Sequence, residues 1–285
     1  MTTTAAPEMT IDELQRMKER AQPIVMVTAF DYASGRVAER AGVDIVLVGD
    51  SAAMTMLGYP STREVSLDEM LMLTRAVRRG VTHPLVIGDM PFGTYESSDA
   101  IAIASAKKFM EAGCAGVKIE GAGPILSRVR ALTAAGIPVM GHVGLKPQGV
   151  TNAEEYRARG RTADEAITIV EDAVALEKAG AFAIVVEAVA SPVADALTNR
   201  VNVPVIGIGA GPAPDGQVLV YHDLTGWSES RPAKFVRKYA AVGEMMVEAV
   251  AAFAADVRSH KYPAQEHTYA MAADELSRFK ERTSR

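Results

Sequence analysis

The chain has 285 residues, 48% of them hydrophobic, and a formal net charge of −5. Its apolar content supports a substantial core and excludes the disordered class. The acidic balance argues against nucleic acid as the main partner, because a phosphate-binding surface needs a basic footprint. The single cysteine, Cys114, excludes an internal disulfide and fits a reducing compartment.

Residues 1–7 are small and polar and lack the basic-then-apolar order of a signal peptide. No apolar run approaches the ~20 residues that span a bilayer. A soluble, cytoplasmic protein with no membrane partner is expected. Thr10 and Glu13 are spaced as a capping box, and Ile11, Leu14 and Met17 mark one face of a short helix. A strand follows from Ile24 to Phe30, and Asp31 caps a helix running to about Arg40. Then a unit repeats. Helices end in Gly42, Gly80, Gly113, Gly136 and Gly180, since glycine readily takes the left-handed conformation that closes a helix. Strands begin near Ile45, Leu85, Gly116, Pro138 and Ala183, and two more are read at 203–209 and 217–222. Helical stretches at 66–79, 98–111, 124–135, 162–179 and 191–199 separate most of them. A loop at 224–231 leads to a helix from about Pro232, a residue suited to the first turn, to about Val257. The polar tail from His260 holds one or two charged helical turns within 274–282.

Alternating strands and helices with short links predict a parallel sheet with right-handed crossovers. About eight such units predict an α/β fold, a (β/α)8 TIM barrel. The competing doubly wound sheet usually carries a glycine fingerprint after its first strand, and Ala29-Phe30-Asp31-Tyr32-Ala33 has none. No linker divides the chain. Residues 1–285 are read as one barrel domain, with an N-terminal helix segment at 1–23 and a C-terminal helix and tail at 232–285.

The apolar runs each end in a chemical group. Asp50 follows Ile45-Val46-Leu47-Val48-Gly49, and Asp89 follows Leu85-Val86-Ile87-Gly88. Lys118 and Glu120 lie in Gly116-Val117-Lys118-Ile119-Glu120, His142 follows Val139-Met140-Gly141, and Glu187 follows Ile184-Val185-Val186. Each alone has a plain reading: a turn-forming aspartate, a buried ion pair, a hydrogen-bonded core histidine, a rim carboxylate. At the C-terminal ends of barrel strands, where active sites form, they would converge. Two carboxylates sit close there only if something positive joins them. Few oxygen ligands, completed by water and substrate, suit magnesium, and there is no Cys/His cluster for zinc. Asp50 and Asp89 would hold the metal, with Glu120 acting on it through water. Lys118, on the same face as Glu120, would meet a substrate carboxylate, and a partly buried Glu187 suits a general base. That set fits removal of a proton beside the ketone of a 2-oxo acid, with the metal stabilising the enolate. Gly207-Ile208-Gly209-Ala210-Gly211 either cradles phosphate or permits close backbone approach.

These residues carry a resemblance. Thr28-Ala29-Phe30-Asp31-Tyr32, Val48-Gly49-Asp50-Ser51, Leu57-Gly58-Tyr59, Asp89-Met90-Pro91-Phe92 and Val117-Lys118-Ile119-Glu120-Gly121 occur in that order. Gly136-Ile137-Pro138-Val139-Met140-Gly141-His142, the 206–211 and 215–220 runs, and Tyr262-Pro263-Ala264-Gln265-Glu266-His267 follow. Together they make the chain similar to the ketopantoate hydroxymethyltransferase family. The resemblance implies a (β/α)8 barrel that moves a hydroxymethyl group from 5,10-methylenetetrahydrofolate to 2-oxoisovalerate, a step of pantothenate biosynthesis. It implies Asp50 and Asp89 as magnesium ligands, with Glu120 acting through a metal-bound water. Ser51 and Lys118 would hold the substrate carboxylate, Glu187 would be the acid/base, and His142 would lie in the pocket. A homo-oligomer, a decamer built from dimers, is implied as well.

Departures from the family pattern fall at Pro60, Gly149, Thr151, Glu154-Glu155, Arg159 and Ala188-Val189-Ala190, all loop positions expected near the active face. They leave open a paralogue acting on another 2-oxo acid. A carbon–carbon lyase of the phosphoenolpyruvate mutase and isocitrate lyase kind shares the metal–enolate logic. Many such lyases use a loop cysteine, whereas Cys114 is expected at a helix end before the fourth strand.

Overall fold

The first strand, β1 (Ile24–Thr28), is paired on both sides, Met26 with Ile45 of β2 (Ile45–Val48) and Val25 with Gln217 of β8 (Gly216–Leu219). That double pairing closes the sheet, which runs β1 to β8 in chain order with every neighbouring pair parallel. The intervening strands are β3 (Leu85–Asp89), β4 (Gly116–Lys118), β5 (Val139–Gly144), β6 (Ala183–Glu187) and β7 (Val205–Ile208). The fold is the α/β TIM barrel that the strand–helix alternation predicts. The computed structural model describes residues 8–152, 155–228 and 232–284. The expectation for residues 1–7 and the departure at Glu154 lie outside them.

The helices are α1 (Ile11–Glu19), α2 (Tyr32–Ala41), the short α3 (Ala52–Thr55), α4 (Leu67–Gly80), α5 (Asp99–Glu111) and α6 (Leu126–Ala134). Then come α7 (Ala163–Lys178), α8 (Ser191–Arg200), the short α9 (Tyr221–Thr225), α10 (Val242–Arg258) and α11 (Ala273–Thr283). Two apolar layers result. Inside the barrel, Met26, Ile45, Leu47, Ile87, Met140, Val185, Ile206 and Val218 pack together, with Leu14 and Met17 of α1 among them. These two side chains are buried, each worth ~1.5–3 kcal/mol relative to exposure. They close the mouth where the strands begin. The second layer lies between sheet and helices and includes Val46, Val48, Val86, Phe109, Leu132, Leu176 and Leu197.

Several local readings are corrected. Thr10 Oγ1 accepts the Glu13 N–H at 3.1 Å, but Glu13 turns its carboxylate to Arg16 at 2.6 Å. The capping box is therefore only half formed at Thr10. A reciprocal one forms at Asp31 and Ser34 instead. Gly42, Gly113, Gly136 and Gly180 have positive φ as expected, but Gly80 is helical, the last residue of α4. A Cβ there would lie 2.7 Å from the Tyr32 carbonyl oxygen, so glycine serves the close contact of α4 with α2. β1 stops at Thr28 and β8 at Leu219, so His222 belongs to α9 and not to a strand. The C-terminal helix begins at Val242, ten residues past Pro232. Tertiary contacts hold this stretch out of a helix: the Tyr239 N–H reaches the Leu224 carbonyl at 2.8 Å, and the Gly243 N–H reaches that of Gly226 at 3.2 Å.

Candidate active site

Register brings the strand-end groups together. Val48 of β2 pairs with Gly88, Asp89 with Lys118 of β4, and Gly144 of β5 with Glu187. Asp50, Asp89, Lys118, Glu120 and His142 are all buried, and Glu187 keeps 18% of its side chain exposed. All six line one cavity of about 650 Å³ at the C-terminal end of the barrel, as does Ser51. Its apolar floor is Leu47, Val185, Ile208 and Val218, and Tyr156, Trp227 and Phe235 add aromatic surface to its wall.

Lys118 Nζ reaches both oxygens of Asp89, at 2.8 and 2.9 Å, and stands 3.7 Å from Glu120 Oε1. The Asp50 N–H donates to Asp89 Oδ2 at 3.2 Å. His142 sits between two acids, Nδ1 3.3 Å from Glu120 Oε1 and Nε2 3.4 Å from Glu187 Oε2. Neither contact has hydrogen-bond geometry, and Glu120 Oε1 is left without a hydrogen-bond partner. Ser51 begins α3 but its hydroxyl caps nothing there.

Burial opposes the charge on Lys118, but the Asp89, Glu120 and Asp50 carboxylates outweigh it and hold its proton more tightly than usual. Burial likewise opposes protonation of His142, as does Lys118. Glu120 and Glu187 prevail and raise its pKa to about 9. Burial would raise Glu120, yet His142, Lys118 and the Gln148 N–H bring it below the ordinary carboxylate value. Asp50 goes the other way. Burial and the neighbouring Asp89 charge push it well above its usual range, against the pull of Lys118.

The site is thus short of positive charge. Within the cluster Asp50, Asp89, Glu120 and Glu187 face one lysine and one histidine, Asp50 resists ionisation, and Glu120 Oε1 accepts no hydrogen bond. A divalent cation at Asp50 and Asp89 fits this deficit. Among the described residues no three His, Cys, Asp or Glu side chains are grouped to enclose an ion. Such a cation would draw the rest of its shell from water and substrate, as magnesium does.

Two residues that sequence reasoning missed complete the site. Gln148, in the loop after β5, is buried and donates from Nε2 to Asp50 Oδ2 at 2.9 Å and to the Met90 carbonyl at 3.0 Å. Its Oε1 accepts the Tyr95 hydroxyl at 2.6 Å, and its N–H donates to Glu120 Oε2 at 3.0 Å. The Tyr95 oxygen also accepts the Glu120 N–H at 3.2 Å. A glutamine beside a proline gives no periodicity signal. Only its burial singles it out.

The 207–211 run is explained by close approach. A Cβ at Gly207 would meet Pro214 at 2.7 Å, one at Gly209 the Phe235 ring at 2.4 Å, and one at Gly211 Ser191 Oγ at 2.4 Å. Of the departures from the family pattern that are described, only Pro60 lines the cavity. Arg159 instead pairs with the 188–190 loop, its N–H on the Ala188 carbonyl at 2.7 Å and its carbonyl receiving the Ala190 N–H at 3.1 Å. Glu155 binds the Thr151 N–H at 2.9 Å. These positions lie in the loops that follow β5 and β6, next to Pro147, Tyr156 and Glu187 of the cavity lining, and several of them also bond to one another.

Fold and site define a (β/α)8 barrel with a charged small-molecule cavity at the C-terminal ends of its strands. The chain belongs to the ketopantoate hydroxymethyltransferase family, whose sequence profile matches residues 8–265. It is 48% identical over 261 residues to 3-methyl-2-oxobutanoate hydroxymethyltransferase of Shouchella clausii, covering 91% of this chain and 94% of that one. The Nitratidesulfovibrio vulgaris protein of the same name is 47% identical over 273 residues, covering 95% and 88%. Among solved structures, a phosphonopyruvate hydrolase in complex with oxalate and Mg++ is similar at a TM-score of 0.60 and 15% identity, covering 96% of this chain and 99% of that one. A 2,3-dimethylmalate lyase of the PEP mutase/isocitrate lyase superfamily is similar at 0.57 and 16%, covering 95% and 98%. At such identities the likeness is one of fold. Among the described residues no helix is long and apolar enough to cross a membrane.

Proposed function

We propose that this protein transfers a hydroxymethyl group from 5,10-methylenetetrahydrofolate to 2-oxoisovalerate (3-methyl-2-oxobutanoate), forming ketopantoate for pantothenate biosynthesis in the cytoplasm. The observation that carries the reading is the convergence of Asp50, Asp89, Lys118, Glu120, His142 and Glu187 on one cavity with an apolar floor. Lys118, kept charged by its acidic neighbours, meets the carboxylate of the 2-oxo acid together with Ser51. Leu47, Val185, Ile208 and Val218 suit its branched aliphatic end. Glu187, the most exposed acid of the cluster, removes the proton from the carbon beside the ketone. His142 stands 3.4 Å from Glu187 on one side and 3.3 Å from Glu120 on the other, so its charge attracts that base toward the pocket. Magnesium at Asp50 and Asp89, with Glu120 beside it, would polarise the ketone and offset the enolate charge.

The departures mostly lie off the cavity, which favours the family's own substrate over another 2-oxo acid. The lyase reading gains nothing from Cys114, which is buried ahead of β4 at the opposite end of the barrel. Family membership and the exposed Met245, Val247, Val250 and Phe253 of α10 support a homo-oligomer, a decamer, which sedimentation would measure.

Proton exchange on 2-oxoisovalerate tests the chemistry. Asp50→Asn and Asp89→Asn are each expected to abolish magnesium-dependent exchange without unfolding, and wild-type exchange in both would sink the metal assignment. Glu187→Gln is expected to bind the acid but not exchange its proton; normal exchange would mean a different base.

A further inference from the structure

Gln148 hydrogen-bonds two acids of the site, Asp50 through its side chain and Glu120 through its main chain. From one loop it reaches the ends of three strands: Asp50 beyond β2, Met90 beyond β3 and Glu120 beyond β4. Its carbonyl receives Arg63 Nη1 at 2.6 Å, and that guanidinium lies 3.7 Å over the Phe92 ring. The loop after β5 is thereby tied to the 61–65 segment as well.

The direction of each bond can be worked out from what its partners are able to do. The Met90 carbonyl only accepts, so the amide nitrogen of Gln148 must face it. The Tyr95 oxygen already accepts the Glu120 N–H, and its proton goes to Gln148 Oε1. Both contacts set the amide the same way round, with Nε2 toward Asp50. Asp50 Oδ2 is therefore committed as an acceptor to the protein. The main chain of Gln148 does the same to Glu120, whose Oε2 takes its N–H while Oε1 stays without a hydrogen bond. Two acids on different strands each have one oxygen occupied by the same residue.

We propose that Gln148 is a positioning residue: by occupying one oxygen of Asp50 and one of Glu120, it turns Asp50 Oδ1 and Glu120 Oε1, the latter near Lys118 and His142 but without a hydrogen bond, toward the cation and its water. The proposal rests on the cation reading above and deepens it. The amide acts through the carboxylates. Residues that orient metal-binding groups in this way typically change metal affinity or activity about ten- to a hundredfold when replaced.

The experiment measures Mn²⁺ binding to the full-length protein by electron paramagnetic resonance, with thermal unfolding alongside. Gln148→Met keeps the length of the side chain and the main-chain bond to Glu120, and removes the amide. It is expected to weaken Mn²⁺ binding about ten- to a hundredfold and to lower kcat for exchange more than it raises KM for the acid. Tyr95→Phe keeps the amide but removes the hydroxyl that fixes its direction, and is expected to weaken Mn²⁺ binding by a smaller factor. If Gln148→Met does not fold, Tyr95→Phe decides. Wild-type Mn²⁺ affinity in the folded variants overturns the role of Gln148. Failure of the wild-type protein to bind Mn²⁺ overturns the cation reading and this proposal with it, a result distinct from the first.

Discussion

His142 holds a proton that burial alone would remove. Its neighbours Glu120 and Glu187 raise its pKa from 6.5 to about 9, and the sign of the linked stability follows. A histidine whose folded pKa is raised contributes stability that is fully present below its unfolded value. That contribution is lost as pH rises through about 9. With a chelator present, urea unfolding of the wild type is therefore expected to weaken from about pH 6.5 to about pH 9.5 more steeply than that of His142→Gln. Parallel pH profiles would show that the pair of acids does not hold this proton. The residue scale is also where the sequence is most and least legible. Asp50, Asp89, Lys118, Glu120 and Glu187 can be read because each interrupts or ends an apolar strand, and a buried parallel strand leaves a charge few places to go. Gln148 cannot, because its role depends on three strand ends meeting one loop.

Elements are legible where one residue decides them, and misread where a neighbour does. Asp31 and Gly42 bound α2 as expected, since cap chemistry is local. Gly80 looks like the same signal, but its reason lies across the α2–α4 contact. Gly80→Ala should therefore destabilise the protein by ~1–3 kcal/mol, as overpacking does, although alanine is the better helix former. A chemical denaturation midpoint at or above wild type would contradict this. The start of the C-terminal helix escapes the sequence for the same reason. Proline at 232 suits a first turn, but bonds to Leu224 and Gly226 hold the following residues non-helical. The altered loops teach a related lesson. Arg159 and the 188–190 segment are joined by main-chain hydrogen bonds, a contact that a linear reading scatters over two distant stretches.

On the scale of the whole molecule, the barrel closes β1 against β8, so strands distant in sequence become neighbours and their ends share one cavity. Alternation of strand and helix predicts both this closure and the eight strands. The pairing of Asp89 with Lys118 then has a consequence for how ligands meet. Both oxygens of Asp89 are taken up by the lysine. A substrate carboxylate that draws Lys118 toward itself would release an Asp89 oxygen to a cation, and a cation on Asp89 would release the lysine to the substrate. The two ligands should therefore bind cooperatively, and thermodynamic reciprocity requires each to tighten the other by the same factor. Titrating Mn²⁺ calorimetrically with and without saturating 2-oxoisovalerate, folate being omitted, is expected to give tighter binding with the acid by about 5- to 150-fold. Equal affinities would mean that the ion pair is a fixed strut of the barrel rather than a latch shared between two ligands.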